Sequence, residues 1–386
     1  MNNIVTQLQG DFDLMKSWFE HLHRHPELSM QEAKSAQYIA EILRSFGEYE
    51  VETDIGEYGI VASLKVGDSD KVIGLRADFD ALPIQEDNDL DYASETPKVA
   101  HLCGHDAHST MLLAAAKYLA EKKSFNGTVR LIFQPAEETM QGAPAMIEDG
   151  LFERFPVDAI FGMHNMPGLE AGKLYFTEGD TMAAVDNWEV EITGKGGHGS
   201  TPEHTIDPIV AGSSLVMALQ TIVSRNIAPE HKAVVTVGAF QSGQAANVIA
   251  HTAILRLSIR TTTPEDREMV NHNIRRLIRQ QCESFGCTSE IREGVPGAVL
   301  TNDPTETRRA AQIAREAFGD DHVFEGGPSY LGSEDFAFML QKVRGTYCFL
   351  GNGDGQFVHH PKYIFNKEIL PMGAAYWVAL AEGYLV

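Results

Sequence analysis

Three separated apolar runs in this chain end in the same kind of residue, and that repetition constrains the fold more than any other feature. Lys71–Asp80 holds Val72, Ile73 and Leu75 and finishes in Arg76-Ala-Asp78-Phe-Asp80-Ala-Leu-Pro83. Thr128–Gln134 holds Val129, Leu131 and Phe133 and finishes in Pro135-Ala-Glu137-Glu138. Asp158–His164 holds Ala159, Ile160 and Phe161 and finishes in Gly162-Met-His164-Asn-Met-Pro167. Short apolar runs bounded by turn residues read as buried strands. Helical stretches lie between them, so the alternation predicts a largely parallel α/β sheet. Open sheets of this kind bind ligands outside the carboxyl ends of their strands. Acidic and metal-competent residues at one end of several strands therefore predict a single site.

Between the first two runs lies Ala100-His-Leu-Cys-Gly-His-Asp-Ala-His108. Cys103 and His105, two apart, cannot share a helix face. The pattern predicts a tight loop through Gly104 that delivers both, followed by a helix over Thr110–Glu121. Thiolate and imidazole together suit a zinc-like ion. The competing reading is a buried structural cysteine beside histidines that cap the helix. Upstream, Phe12–Arg24 has helical spacing and runs into His21-Leu-His23-Arg-His25-Pro26. Only His21 and His25 would share a face, and Pro26 ends the segment, so this triplet reads as a solvated or substrate-facing helix end. Gln31–Phe46 is a second amphipathic helix stopped by Gly47.

Between Asn187 and Gly294 the pattern changes. A strand over Trp188–Thr193 is followed by a helix over Asp207–Asn226, strands over Ala233–Phe240 and Ala246–Arg260, a helix over Pro264–Phe285 and a strand over Cys287–Arg292. That order, β-α-β-β-α-β, is the split βαβ sandwich of ferredoxin-like domains. It is long enough to be a domain inserted into another. The expected division is a catalytic domain over 1–184, a satellite domain over 185–294, and the rest of the catalytic domain over 295–386. A helix over Pro304–Phe318, a strand over Thr346–Leu350 and a closing helix over Pro371–Glu382 complete the chain. Gly351-Asn-Gly-Asp-Gly355 is not a phosphate loop, because no Gly-Lys-Ser/Thr follows it.

Two domains also suit 386 residues, too many for one ordinary core. The net charge of −23 would repel a phosphate backbone, which excludes a nucleic-acid partner. The four cysteines contain no Cys-x-x-Cys pair and suggest a reducing cytoplasm. The opening Met-Asn-Asn-Ile-Val-Thr-Gln is not expected to be a signal peptide. The apolar runs are read as too short for a membrane span, so no membrane partner is expected.

Candidate ligands from the residues alone are Cys103, His105, Glu137 or Glu138, His164, and His359 or His360. Five ligands exceed one tetrahedral zinc, so two divalent metals sharing a bridge are expected, with the Cys103 thiolate as the bridge. Cysteine and imidazole suit zinc, while carboxylates also admit manganese, cobalt or nickel. Adjacent side chains in extended backbone point opposite ways, so one of Glu137 and Glu138 can bind metal while the other handles protons. The loop Gly194-Lys-Gly-Gly-His198-Gly-Ser200 reads either as a flexible turn or as an oxyanion donor from the inserted domain.

Taken together, the chain resembles the di-metal amidohydrolases that include bacterial hippurate hydrolases, N-acyl-amino-acid deacylases and plant auxin-conjugate hydrolases. The matching stretches are Leu22–Ser29, Gly74–Pro83, His101–His108, Phe133–Glu138, Gly162–Asn165, Gly194–His198, Asn247–Ile249, Gly332–Phe336 and His359–Pro361. They run in order over nearly the whole length. The resemblance implies an α/β, zinc-peptidase-like catalytic domain with a mixed, largely parallel sheet and an inserted ferredoxin-like α+β satellite. It implies that Cys103, His105, Glu138, His164 and His359 bind two divalent metals, zinc or manganese, and that Glu137 is the general base. It implies that His198 contacts the substrate, with Asn247, Arg260 and Gly332 also in substrate-binding positions, and that satellite domains pair into a homodimer. Asp78, a ligand position in related peptidases, is not taken as one here.

The reaction expected is hydrolysis of a small N-acyl-L-amino acid, N-acetyl, N-benzoyl or similar, to a carboxylic acid and a free amino acid. The rival reading is a di-metal dipeptidase or aminopeptidase, with Glu203 available to hold a free amine. Two departures bear on substrate choice. Thr139-Met140 follows the Glu-Glu pair where the family commonly has glycines, and Pro202-Glu203 stands where Pro-His is usual.

Overall fold

In the structure, a computed structural model that describes residues 3–386, the chain divides into two compact units. One comprises Met1–Gly179, Thr301–Pro328 and Asp335–Val386; the other comprises Asp180–Leu300 and Ser329–Glu334. Met1 and Asn2, the start of the segment read above for a leader, lie outside the described residues. The short Ser329–Glu334 return is tied into the second unit by Tyr330 N–H to Thr181 O (2.9 Å) and Ala183 N–H to Gly332 O (2.9 Å).

The first unit is built on an eight-stranded mixed sheet. Its order is Glu50–Ile55, Gly59–Val66, Gly127–Gln134, Val72–Asp78, Ala159–Pro167, Gly345–Gly353, Leu174–Phe176 and Val323–Glu325. The four central strands, from Gly127–Gln134 to Gly345–Gly353, run parallel. Both flanks attach antiparallel. The central strands are buried along almost their whole length, as parallel strands covered on both faces must be. Parallel direction puts their carboxyl ends at one edge, and that edge receives Asp80, Glu137, Glu138, His164 and His359.

Two helices dominate the covering layer. His105–Lys122 is buried on nearly every face, and Leu370–Tyr384 packs directly on it. The approach is close: a Cβ on Gly373 would stand 2.0 Å from Met111 Sδ. The first of these helices begins at His105, not at Thr110 as its apolar pattern suggests. Its first turn carries His105, Asp106 and His108, polar residues that are nonetheless fully buried, so the amphipathic period is hidden there.

His23 corrects another expectation. It is not solvated but 5% exposed, with Nδ1 2.7 Å from Asp106 Oδ2 and Nε2 3.2 Å from Glu86 Oε1. Burial alone would lower its pKa, but the two carboxylates outweigh this and hold it at about 9. A pKa above the ordinary 6.5 adds stability that is fully present below 6.5 and lost as the pH rises through 9. We therefore expect His23→Gln to cost about 3–5 kcal/mol near pH 6.5, because it leaves two carboxylates buried without a cation. The gap to the wild type should narrow by pH 9.5. Urea titrations at both values check this, and a gap independent of pH would show that His23 is not a charged partner.

The second unit is a four-stranded antiparallel sheet in the order Ala233–Ser242, Thr252–Thr261, Ala184–Thr193, Thr288–Glu293. Helices Pro208–Asn226 and Pro264–Ser284 pack on it, which completes the ferredoxin-like β-α-β-β-α-β arrangement. Its core joins Trp188, Val190, Leu255, Leu257, Leu215, Leu219, Ile274 and Ile278. The helix Pro208–Asn226, at 19 residues and mean hydropathy 1.2, is long and apolar enough to cross a membrane by length and composition, contrary to the sequence reading. Its Ala211, Leu215, Leu219 and Ile222 face is instead spent on this core.

Candidate metal centre

The Cys103-Gly104-His105 turn works because Gly104 has φ +101°, a left-handed conformation that glycine adopts without steric cost. No side chain fits there either, since a Cβ would meet Asn165 Oδ1 at 2.1 Å. Asn165 is itself fixed by Tyr363, whose hydroxyl accepts from Nδ2 at 2.6 Å, and by His108 Nε2 at 2.7 Å from Oδ1. The turn is thus moulded on the end of the neighbouring strand. It aims Cys103 Sγ at His164 Nε2, 3.4 Å away.

His105 and His164 each engage Nδ1 with an oxygen acceptor and turn Nε2 toward the other donors. His105 Nδ1 lies 3.0 Å from Asp80 Oδ1 and 3.1 Å from Asp80 O; both are acceptors, so Nδ1 carries the hydrogen. His164 Nδ1 donates to the carbonyl of Asn165. In His164 this leaves Nε2 with its lone pair, the form in which imidazole binds metal. In His105 burial would lower the pKa, but Asp78, Cys103 and Asp80 outweigh it and hold it well above the ordinary value, so a cation at Nε2 would take the place of a proton. Burial, with the neighbouring rings of His108 and His105, keeps the His164 pKa well below the ordinary value and so keeps that ring neutral.

His105 Nε2 is buried without a hydrogen-bond partner. Around it stand Asp78 Oδ2 at 3.9 Å, Glu137 Oε2 at 3.9 Å and Glu138 Oε1 at 4.0 Å. These gaps are too long for hydrogen bonds. They are spacings that two donors can span when each lies about 2.1 Å from a common ion. Glu138 Oε1 is likewise buried without a hydrogen bond, 3.2 Å from His359 Nε2. Burial and the Glu138 charge push the Cys103 thiol up, opposite to what a thiolate ligand needs. A thiol, imidazole nitrogens and carboxylates gathered in one buried place are the mixed donor set that a divalent transition-metal ion takes.

The donors form overlapping groups whose ligand atoms lie within 4.8 Å of one another: Cys103 with His105 and His164, Cys103 with Glu138 and His359, and His105 with Glu137 and Glu138. Cys103 is common to the first two. Of the alternatives left open by sequence, Glu138 and His359 face Cys103, whereas His360 accepts from Lys362 N–H at 3.1 Å. Asp78 belongs to a further group with His105 and His108, but both its oxygens are engaged, by Arg76 Nη1 at 2.7 Å and His108 Nδ1 at 2.6 Å.

The remaining sequence-named residues lie in the second unit, in two separate places. His198 pairs with Val248 across a two-stranded ladder, and Gly199 N–H donates to Asn247 O at 2.8 Å, so His198 and Asn247 are neighbours. His198 is exposed. Its Nδ1 accepts from Ser200 N–H at 3.2 Å, which leaves Nε2 carrying the hydrogen of the neutral ring as an outward donor. Arg260 sits on another strand and donates to Leu331 O (3.4 Å) and Ser333 Oγ, on either side of Gly332. Sequence reasoning missed Asp80 as the partner of His105; its place at a strand end, beside Asp78, was the available signal.

A buried thiol, imidazole and carboxylate set at the carboxyl edge of a mixed α/β sheet defines a metal-dependent hydrolase. A model of peptidase family M20/M25/M40 matches residues 74–383, and the chain belongs to that family. It is 42% identical to hippurate hydrolase of Campylobacter jejuni, over 99% of this chain and 98% of that one. It is 37% identical to N-acetyl-L-cysteine deacetylase of Bacillus subtilis, over 91% and 83%. Among solved structures, the Bacillus subtilis YXEP protein, described as a dinuclear metal binding peptidase, superposes with a TM-score of 0.84 at 32% identity, covering 98% and 99%. The chain is a metallo-amidohydrolase of this family.

Proposed function

We propose that the enzyme hydrolyses the amide bond of N-acyl-L-amino acids, and that Cys103, His105, Glu138, His164 and His359 hold two divalent cations. The observation that carries this is the sharing of Cys103 by two donor groups, with His105 Nε2 buried without a hydrogen bond and Glu138 Oε1 buried against His359 Nε2 at 3.2 Å. The names of the relatives, a hippurate hydrolase and an N-acetyl-L-cysteine deacetylase, support an N-acyl amino acid as substrate. Zinc or manganese suits the mixed sulfur, nitrogen and oxygen donors, and cobalt or nickel is also compatible.

When bound, the cations supply Lewis acidity to the amide carbonyl and lower the pKa of water. The Glu137 carboxylate takes a proton from the attacking water as the oxygen–carbon bond forms. It delivers that proton to the amide nitrogen as the carbon–nitrogen bond breaks. His198, with Nε2–H facing outward, is assigned to the developing oxyanion, and Asn247, Arg260 and Gly332 to the rest of the substrate. Asp80 holds the His105 ring in its ligand tautomer.

A homodimer through the second unit is part of the proposal. Helix Pro208–Asn226 leaves Val210 50% and Met217 71% exposed, and the adjoining edge strand Ala233–Ser242 leaves Val234 and Phe240 exposed. The four free cysteines support a cytoplasmic location.

The test is release of amino acid from N-acetyl, N-benzoyl and longer N-acyl amino acids, with dipeptides alongside. It is run on enzyme that sediments at twice 42.5 kDa, before and after chelation. We expect cleavage of at least one acyl class, lost on chelation and restored by zinc or manganese. Cleavage of dipeptides alone would transfer the enzyme to the peptidase reading, and a species of 42.5 kDa would remove the dimer.

A further inference from the structure

Glu32 is completely buried, although its place at the start of helix Ala33–Ser45 reads as a surface cap. It does not cap that helix. Its Oε1 instead accepts from Ala136 N–H at 2.8 Å, in the loop that leads to Glu137 and Glu138. Its Oε2 is buried without a hydrogen bond.

Ala136 is strained. Its φ is +52°, a left-handed conformation that costs an alanine about 1–2 kcal/mol. The strain is held from both sides: Glu32 takes the amide hydrogen of Ala136, and the Ala136 carbonyl accepts from Gln141 N–H at 3.2 Å and Gly142 N–H at 3.1 Å. Two residues on, Glu138 N–H is held separately by Asp80 Oδ2 at 3.0 Å, and that same oxygen accepts from Ser29 Oγ at 2.8 Å. The Ser29–Glu32 segment thus reaches the loop on both sides of Glu137, directly through Glu32 and by way of Asp80 from Ser29. If the grip on Ala136 is lost, the residue can relax out of the left-handed region and the next peptide rotates. Glu138 keeps its own tether, so the misalignment falls on Glu137.

We propose that Glu32 is a positioning residue, whose carbonyl-type oxygen holds the strained Ala136 turn and thereby aims Glu137 at the water it deprotonates. This rests on the assignment of Glu137 as proton carrier. The role depends on reach and on an acceptor oxygen, not on charge. A glutamine keeps both, whereas an aspartate keeps the charge but is one methylene too short.

The experiment compares Glu32→Gln, Glu32→Asp and Glu137→Gln with the wild type, each with zinc or manganese content and folding verified. Glu32→Gln should stay within about threefold of wild-type kcat. Glu32→Asp should lose roughly ten- to hundredfold in kcat with KM within twofold, as a displaced proton carrier predicts. Adding Ala136→Gly, which removes the strain, should be nearly silent in the wild type and should restore much of the kcat lost in Glu32→Asp. Glu32→Asp at least as active as Glu32→Gln would overturn the proposal, as would an Ala136→Gly effect equal in both backgrounds. Full activity of Glu137→Gln would instead overturn the base assignment, so the two failures are separate.

Discussion

Glu137→Gln should lower kcat by a factor of 10²–10⁴ while both cations stay bound, the range typical of a lost general base. Glutamine matches the size and hydrogen-bonding reach of the carboxylate but cannot accept a proton at neutral pH. None of the five proposed ligands changes, so metal content should be that of the wild type. KM should move little, because the lost interaction belongs to the transition state. The measurement is steady-state hydrolysis of the best acyl substrate, with metal content determined on the same sample. Loss of activity together with loss of a cation would reassign Glu137 as a ligand; its Oε2, 3.9 Å from His105 Nε2, makes that the specific competitor.

The site was legible in sequence wherever the backbone alone dictated it. Parallel strands must send their carboxyl ends to one edge, so Asp80, Glu137 and His164 could be grouped before any coordinates. The Cys103-Gly104-His105 turn was legible because two ligands two apart need a turn, and Gly104 supplies one. What stayed hidden depends on partners distant in sequence. His23 read as part of a solvated or substrate-facing helix end because its carboxylates, Asp106 and Glu86, lie 83 and 63 residues away. Glu32 passed without remark inside the helix read over Gln31–Phe46, because its acceptor role is toward Ala136, 104 residues on.

Met140 falls between these cases. Its φ of +59° shows why glycine is at home there, a conformational requirement that was visible only as a departure from pattern. The edge hairpin Glu50–Ile55 and Gly59–Val66 was not read at all, because Glu50, Glu52 and Asp54 in the outer strand resemble a solvated loop. Charged residues on an edge strand are also what prevents it from pairing with another molecule.

Removing Cys103 should do more damage than removing any ligand that belongs to one donor group. Cys103 takes part in two groups, whereas His164 and His359 each take part in one. Cys103→Ala is therefore expected to lower the affinity for both cations and to leave activity near background. His164→Ala and His359→Ala should each retain close to one cation per chain. Chelation supplies the matching control in the wild type. Without cations the thiol is pushed toward its protonated form by burial and Glu138, and His105 Nε2 is buried without a hydrogen bond. Cation binding to the folded state alone adds about 2.7 kcal/mol at one hundred times the Kd. The wild type should accordingly melt several degrees lower after chelation, while Cys103→Ala should show almost no shift, having no bound cation to lose. If Cys103→Ala kept two cations and a normal chelator shift, the bridge would have to be a carboxylate. Glu138 would then be the residue to replace, because its Oε1 lies near both His105 Nε2, at 4.0 Å, and His359 Nε2, at 3.2 Å.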